Sequence, residues 1–476
     1  ICRILLMRTS FISHFILWLG LVSCSVFADE PRYYTGGIQI PTLGSLEMTL
    51  GVSETNEGTY LLLTVPTQGA KNIPLAATYT KGGFLAAELP QAGLSFSVIE
   101  SEDFSRLTGT MYQGLEFEIN FIRVNEIPEL VRPQLPTKPY PYDSREVTTL
   151  HPEGHLLQGT LTIPKGQGPF PCAVLISGSG QQDRDESLMG HKPFLVIADN
   201  LTRQGIAVLR YDDRGIGGSV MENIEDLKKD TSVDFATDAL AMVHAVRMHA
   251  EIDTKKIGVI GHSEGGLIAP MVAVEDDLLA FIVMLAGPGV PGYELLPVQQ
   301  GLLLQTSGAS QELIDGVVRA STSLYEMMES DASEEELREQ MTELVSIQFS
   351  AQGLEVTEEI FEQAIDEGLA VMTLPWMQFF LFYDPAPTLA QVTCPVLALN
   401  GTKDLQVDSN QNLTEIEAIM LESGGDITIV ELEGLNHLFQ QASTGSIEEY
   451  AKIETTFDCA ALEIICDWIL EVTDAN

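Results

Sequence analysis

The stretch that most constrains this chain is Ile260-Gly261-His262-Ser263-Glu264-Gly265-Gly266-Leu267. Before it runs Lys256-Ile257-Gly258-Val259-Ile260, an apolar run short enough for a buried strand. After it runs Leu267-Ile268-Ala269-Pro270-Met271-Val272-Ala273-Val274, which opens a buried helix. Gly-x-Ser-x-Gly between a strand and a helix is a nucleophile elbow. The serine sits on a turn tight enough to be strained, so the residues two before and two after it must be small. The turn lifts the hydroxyl clear of the sheet. The helix N-terminus beneath it favours negative charge.

The surrounding pattern sets the fold class. From Arg145 onward, candidate strands are Glu146–Leu150, Leu156–Ile163, Cys172–Ser177, Ala207–Asp212, Ile257–Ile260, Phe281–Leu285, Val396–Asn400 and Ile427–Leu432. The first two have no helix between them and should pair as a hairpin. Helical periodicity separates later ones, over Phe194–Arg203, Ser232–Ala250, Leu267–Val274 and Gln411–Leu421, and Phe457–Leu470 closes the chain. Eight strands, the first pair antiparallel and the elbow after the fifth, are the plan of an α/β-hydrolase. This domain spans 145–475, with a helical cap inserted at about 291–390. Within the cap, Ser333-x-x-Glu336 reads as a capping box and Thr357-Glu358-Glu359 as a helix start. The run from Trp376 to Tyr383 is the most aromatic stretch of the chain. It either lines a substrate pocket or anchors the cap.

Residues 29–125 read as a small all-β domain. Leu46–Leu50 and Leu115–Phe121 alternate apolar and polar, and Tyr60–Val65, Phe84–Leu89 and Leu94–Ile99 add strands between Gly-containing turns, as in a sandwich or barrel. A linker follows at 126–144, where Pro128, Pro133, Pro136, Pro139 and Pro141 favour an extended spacer. Residues 1–28 read as a signal peptide. Met7-Arg8 is basic, Phe11–Val22 is mostly apolar, and Val26-Phe27-Ala28 offers small-residue cleavage. The apolar core is too short for a stable membrane span. The expectation is export, periplasmic or secreted. The rival is a lipoprotein anchored through Cys24, since Leu21-Val22-Ser23-Cys24 resembles a lipoprotein box. Cys172, Cys394, Cys459 and Cys466 read as small buried hydrophobes rather than a disulfide framework. No Cys/His spacing points to zinc.

A serine hydroxyl needs a base within hydrogen-bond reach, and the base needs a carboxylate. In this fold their order is Ser, acid, His. Of 8 histidines, His437 alone follows Ser263, just past the last strand. Asp404, in the loop after Val396–Asn400, is the expected acid, with Asp408 as the fallback. The oxyanion needs two N–H donors. One should come from Glu264, after the nucleophile, and one from Ser177-Gly178-Ser179-Gly180-Gln181, with Ser179 preferred and Gly180 the runner-up. Gly178, Gly180 and Trp376 are the candidate pocket residues. Asp183-Arg184-Asp185 and Asp212-Asp213-Arg214 read as ion-pair networks that position loops.

Together these segments resemble bacterial α/β-hydrolase carboxylesterases with an extra N-terminal β domain, close to the serine aminopeptidase and dienelactone hydrolase groups. The resemblance rests on Ser177–Glu186, Asp213-Arg-Gly-Ile-Gly217, Gly261-His-Ser-Glu-Gly265, Gly401-Thr-Lys-Asp404 and Leu435-Asn-His-Leu-Phe439. It implies carboxylester hydrolysis through an acyl-enzyme, with a small-molecule ester as substrate and no cofactor or metal. Ser177 departs from the pattern, since relatives commonly carry His there. A serine peptidase of the same fold and a non-catalytic protein that kept the fold are the alternatives. No segment of the sequence specifies an oligomeric state.

Asp and Glu total 68 against 25 Lys and Arg, a net charge of −43. This argues against nucleic acid and anionic membrane surfaces as partners, by repulsion. The same repulsion acts within the molecule. Melting curves in dilute buffer and in about 1 M NaCl, where the Debye length is near 3 Å, should show a higher Tm in salt. An unchanged or lower Tm would contradict this account of the acidity.

Overall fold

The structure is a computed structural model that describes residues 31–474, apart from 41–43, 56–57, 67–69, 81, 91–92, 114, 128–129, 331 and 352–356. The segment 1–28 expected to be a signal peptide, with Cys24, lies outside the described residues. The chain divides into two units, residues 1–132 with 188–191, and residues 133–187 with 192–476.

Eight antiparallel strands build the first unit: β1 (Arg32–Ile40), β2 (Gly44–Thr55), β3 (Gly58–Val65), β4 (Ala70–Thr80), β5 (Phe84–Leu89), β6 (Leu94–Glu100), β7 (Arg106–Gln113) and β8 (Leu115–Val124). Each pairs with the next, and β1 pairs back onto β8, with Tyr33 opposite Val124, so the sheet closes into a barrel. Closure removes the exposed edges that an open sheet would present. Alternation does the rest. Along β6, Leu94, Phe96 and Val98 are buried while Ser97 and Ile99 face outward. The inward set joins Tyr34, Leu50, Leu61, Leu63, Leu85, Leu107 and Phe121 in one core.

The inward register also carries Glu100, which is buried. Its carboxylate accepts from Arg32 Nε at 2.8 Å, Arg32 Nη2 at 2.9 Å and the Tyr34 hydroxyl at 2.5 Å. Burial, with Glu100 beside it, pushes the Tyr34 phenol up to about 12. A charge at this depth is tolerated only while its partners stay in place. Three strands of the barrel, β1, β4 and β7, have no counterpart among the runs picked out by alternation. Gly36-Gly37, Pro74 and Gly109 interrupt their apolar pattern.

The second unit is one sheet of eight strands: β9 (Asp143–Leu150), β10 (Leu156–Ile163), β11 (Phe170–Ile176), β12 (Ala207–Tyr211), β13 (Ile252–His262), β14 (Phe281–Leu285), β15 (Val396–Gly401) and β16 (Ile427–Leu432). Its order is β16-β15-β14-β13-β11-β12-β10-β9. The β9/β10 and β10/β12 pairs are antiparallel and the others parallel. This is the α/β-hydrolase fold. The order reverses beside β11, which lies between β12 and β13. Such a switch point opens a crevice at the carboxyl ends of the strands, and β11 and β13 both end there.

Helices pack on the sheet: α1 (Pro193–Arg203), α2 (Ser232–Val246) and α3 (Glu264–Glu275). Helix α3 is buried nearly throughout, from Glu264 to Ala273, which explains why it is apolar on all sides. The region between β14 and β15 is helical: α4 (Gly292–Thr306), α5 (Gln311–Glu329), α6 (Glu334–Ala351), α7 (Glu358–Met372), α8 (Pro375–Phe382) and α9 (Ala386–Leu389). Ser333 and Glu336 exchange capping bonds, and the Thr357 side chain caps α7. The chain ends with α10 (Ser409–Ser423), α11 (Ile447–Tyr450) and α12 (Cys459–Asp474).

Two expectations need correction. Cys459 is exposed, not buried, because it opens α12 rather than lying inside it; Cys172, Cys394 and Cys466 are buried. Helix α2 stops at Val246 rather than Ala250, since its C-terminal turn gives way to the approach to Ile252.

Glu100→Gln should lower the barrel's stability by about 2 kcal/mol, by leaving Arg32 and Tyr34 without their charged acceptor. Hydrogen exchange should quicken in β1 and β6 and stay unchanged in β13. Unchanged exchange in β1 would show that the ion pair contributes nothing.

Candidate active site

Ser263 follows β13 and precedes α3, with φ 53° and ψ −119°. A non-glycine residue held there is strained, and the neighbouring packing enforces it. A Cβ on Gly261 would lie 1.9 Å from the Gly265 carbonyl oxygen, and one on Gly265 would lie 2.2 Å from that of Ile176. The two glycines thus let β13, β11 and the start of α3 approach backbone to backbone. The Ser263 N–H donates to the Leu285 carbonyl at 2.8 Å, and its own carbonyl accepts from Gly266 N at 2.8 Å.

The loop after β16 brings His437 to the serine. His437 Nε2 lies 3.1 Å from Ser263 Oγ, and His437 Nδ1 lies 2.8 Å from Asp404 Oδ2. A carboxylate at Nδ1 assigns that nitrogen the proton and leaves Nε2 as the acceptor facing the hydroxyl. Asp404 is buried. Its other oxygen accepts from Gln406 N at 2.8 Å and Val407 N at 2.9 Å, which fixes the carboxylate plane. Asp408 is not at the site as an acid. It caps α10 by accepting from Gln411 N at 2.8 Å. Asn436 braces the His437 loop by accepting from Leu438 N at 3.1 Å and Gln440 N at 2.9 Å.

Glu264 is the first residue of α3, so its N–H has no partner within the helix. The loop after β11 is pinned at both ends by Asp213. The Ser177 hydroxyl donates to Asp213 Oδ1 at 2.8 Å, Gln182 N donates to Asp213 Oδ2 at 2.8 Å, and Asp213 N donates to the Gln182 carbonyl at 3.1 Å. Burial pushes the Asp213 carboxyl up to about 8, against the pull of those two donors. Ser177, the departure from the family pattern, therefore has a definite partner. Gly178 N donates to Glu186 Oε1 at 2.9 Å and is already committed. Ser179 and Gly180, the latter at φ 88°, follow it in the loop.

Of the three pocket candidates, Gly178 and Gly180 line one small void together with Tyr211, Asp213, Phe235 and Glu264. Its volume is about 10 Å³, the room of one water. Trp376 does not line that void. From α8, its Nε1 donates to Glu264 Oε1 at 2.7 Å, and its ring stacks on Phe380 at 5.7 Å. The same Glu264 oxygen accepts from Ser232 Oγ at 2.6 Å. The Glu264 carboxyl is raised by burial, against the pull of Ser232 and Trp376. The helical insertion thus grips the residue after the nucleophile.

The charged loops form ion pairs. Arg184 reaches Asp212 at 2.7 Å and Glu146 at 2.8 Å, Arg210 pairs with Asp185, and Arg214 reaches Asp238 at 2.6 Å. His151, Glu153 and His155 are close enough to hold a metal ion, a grouping the sequence reading passed over. His155 already lies 2.7 Å from Asp238, whose carboxylate also pairs with Arg214, so a guanidinium serves as the cation there. Two further residues escaped the sequence reading, His262 and Glu186. His262 stood inside the elbow motif and Glu186 at the end of the loop motif, and nothing in either pattern pairs them.

The profile of the serine aminopeptidase family matches residues 192–370. Esterase EstD of Thermotoga maritima is 26% identical over 349 residues, covering 73% of this chain and 70% of its own. Esterase FrsA of Klebsiella pneumoniae is 30% identical over 165 residues, covering 34% of this chain and 36% of its own. Among solved structures, dienelactone hydrolase from Anabaena variabilis is 14% identical, with a TM-score of 0.39, over 70% of this chain and 99% of that one.

The elbow geometry has a direct consequence. Gly265→Ala must push α3 away from Ile176, since the backbone oxygen there cannot swing aside. It should cost about 1–3 kcal/mol of stability and roughly 10²-fold in hydrolysis, by displacing Ser263 Oγ. Wild-type activity in the folded variant would show that the close approach is not needed.

Proposed function

We propose that this chain, a serine hydrolase of the α/β-hydrolase fold with an N-terminal β barrel, is an exported carboxylesterase. It cleaves short-chain carboxylic esters through an acyl-enzyme. The observation that carries the reading is the continuous chain Ser263 Oγ, His437 Nε2, His437 Nδ1 and Asp404 Oδ2, with links of 3.1 and 2.8 Å.

Ser263 Oγ attacks the ester carbonyl as His437 Nε2 takes its proton, and Asp404 stabilises the imidazolium. Charge then develops on the carbonyl oxygen. The Glu264 N–H, at the N-terminus of α3, donates to that oxygen, and the Ser179 N–H supplies the second donor, with Gly180 next in line. His437 returns its proton to the leaving alcohol. Water, activated by the same imidazole, then releases the acid. No step needs a metal or a cofactor.

Esterase EstD, which aligns with most of this chain, supports ester over amide cleavage. The serine aminopeptidase match at 192–370 favours peptide cleavage as the second reading. Small acyl groups are the expected substrates, because Trp376 of the helical insertion is seated on Glu264, beside Ser263, and narrows the space there. Each methylene that a pocket buries contributes about 0.8 kcal/mol until it is full, after which it gains nothing or clashes. The basic, then apolar, then small-residue pattern of 1–28 supports export.

Two kinetic results are expected. Ser263→Ala and His437→Ala should each lower ester hydrolysis by about 10⁴–10⁶-fold, and the double variant should be little worse, because the triad acts as a unit. Losses that multiply would mean that His437 is not the base. On p-nitrophenyl esters, activity should peak at acyl chains of about two to six carbons. Trp376→Ala should move the peak to longer chains. Faster turnover of aminoacyl anilides than of any ester would replace the esterase reading with the peptidase one.

A further inference from the structure

His262, the neighbour of the nucleophile, is buried, and both its ring nitrogens face acceptors. Nδ1 lies 2.9 Å from Glu186 Oε1 and Nε2 lies 2.9 Å from the main-chain carbonyl oxygen of His437. A carbonyl can only accept, and an ionised carboxylate can only accept. The ring satisfies both contacts only by donating twice, as an imidazolium. Glu186, buried and held at φ 52°, is its counter-ion. The same Glu186 oxygen also accepts the Gly178 N–H at 2.9 Å. One carboxylate oxygen therefore holds the loop that follows β11, and through His262 it holds the main chain of the base.

The geometry points to Glu186 and His262 as positioning residues, a second buried ion pair behind the triad that fixes the oxyanion loop and the His437 loop relative to each other. This rests on the serine-hydrolase reading above. Both side chains are buried. Their action runs through Gly178 N and the His437 carbonyl, so their loss should lower the rate of the chemical step more than it weakens substrate binding. With Gly178 N committed to Glu186, the loop's oxyanion donor must lie beyond it, at Ser179 or Gly180.

The pair also sets a pH limit. The charged and titratable groups acting on His262 are Glu186 from the loop after β11, the His437 ring at 4.9 Å between centroids, and Asp404; Asp213 interacts in turn with Glu186. Burial pushes the His262 imidazole down, but the Glu186 charge and its hydrogen bond, the His437 carbonyl and Asp404 outweigh that and raise it above its usual range. A group raised on folding contributes stability below its unfolded value and loses it as pH climbs through the folded one. On losing its proton, His262 turns one of its two contacts into a lone pair facing an oxygen. One of the two loops is then released as pH climbs above the usual histidine range.

The test combines kinetics with a spectroscopic signature. Wild type, Glu186→Gln, Glu186→Asp and His262→Asn are assayed on p-nitrophenyl acetate from neutral to alkaline pH. Each is also titrated with a fluorophosphonate that labels an active serine. Glu186→Gln and His262→Asn should lose kcat by about 10²-fold with KM little changed, a loss typical of a misplacement near 1 Å. Glu186→Asp should recover part of the rate, and the fall with rising pH that His262 causes in wild type should be absent in His262→Asn. Nitrogen-edited NMR of the histidine rings in Ser263→Ala should show both His262 nitrogens protonated at neutral pH. That readout needs neither activity nor a variant at Glu186 or His262. A neutral His262 ring, or variants that label and turn over like wild type with its pH profile, would overturn the proposal. Failure of wild type itself to label or turn over would instead overturn the serine-hydrolase reading on which it rests.

Discussion

The geometry of the site depends on one close approach of backbone to backbone. Gly261 at the end of β13, Ile176 at the end of β11 and Gly265 in the first turn of α3 leave no room between them for a Cβ. That contact forces Ser263 into its positive φ, aims its hydroxyl at His437, and leaves the Glu264 N–H at the helix start. The reversal of strand order beside β11 places the loop carrying Ser179 at the same edge. Strand order and two missing side chains thus bring together groups that lie more than 250 residues apart in sequence, from Ser177 to His437.

Around that contact the structure is held by carboxylates that each tie down two points of the chain. Asp213 grips Ser177 and Gln182, Glu186 grips Gly178 and His262, and Asp404 grips His437 and the backbone at Gln406 and Val407. Buried carboxylates are costly unless satisfied, so each of these loops has essentially one low-energy arrangement. Glu264 extends the pattern to the helical insertion through Trp376. The insertion therefore bears on the residue proposed to supply an oxyanion donor.

How much of this was legible in the sequence follows from what each signal depends on. The α/β fold showed itself because parallel strands buried on both faces read as apolar runs, as at Cys172–Ile176 and Phe281–Leu285. The nucleophile showed itself because its strain demands glycines at fixed offsets. His437 followed from chain order, since one histidine alone lies downstream. The pairing of Glu186 with His262 was invisible because it joins two loops across 76 positions with no periodic signal. Strands β1, β4 and β7 were hidden by glycine and proline, which a closed barrel tolerates and a pattern search does not. Trp376 could be read as wall or anchor from sequence, and only its Nε1 contact with Glu264 gives it a defined place.

The central claim is that Ser263 carries the acyl group between the two halves of the reaction. Rapid acid quench of the protein with p-nitrophenyl acetate, followed by intact-mass and peptide analysis, tests it most directly. The account predicts a stoichiometric burst of p-nitrophenol and one acetyl group, located on the peptide containing Ser263 and absent from Ser263→Ala. Turnover without any acylated peptide, or an acetyl group on another residue with Ser263→Ala still active, would contradict it.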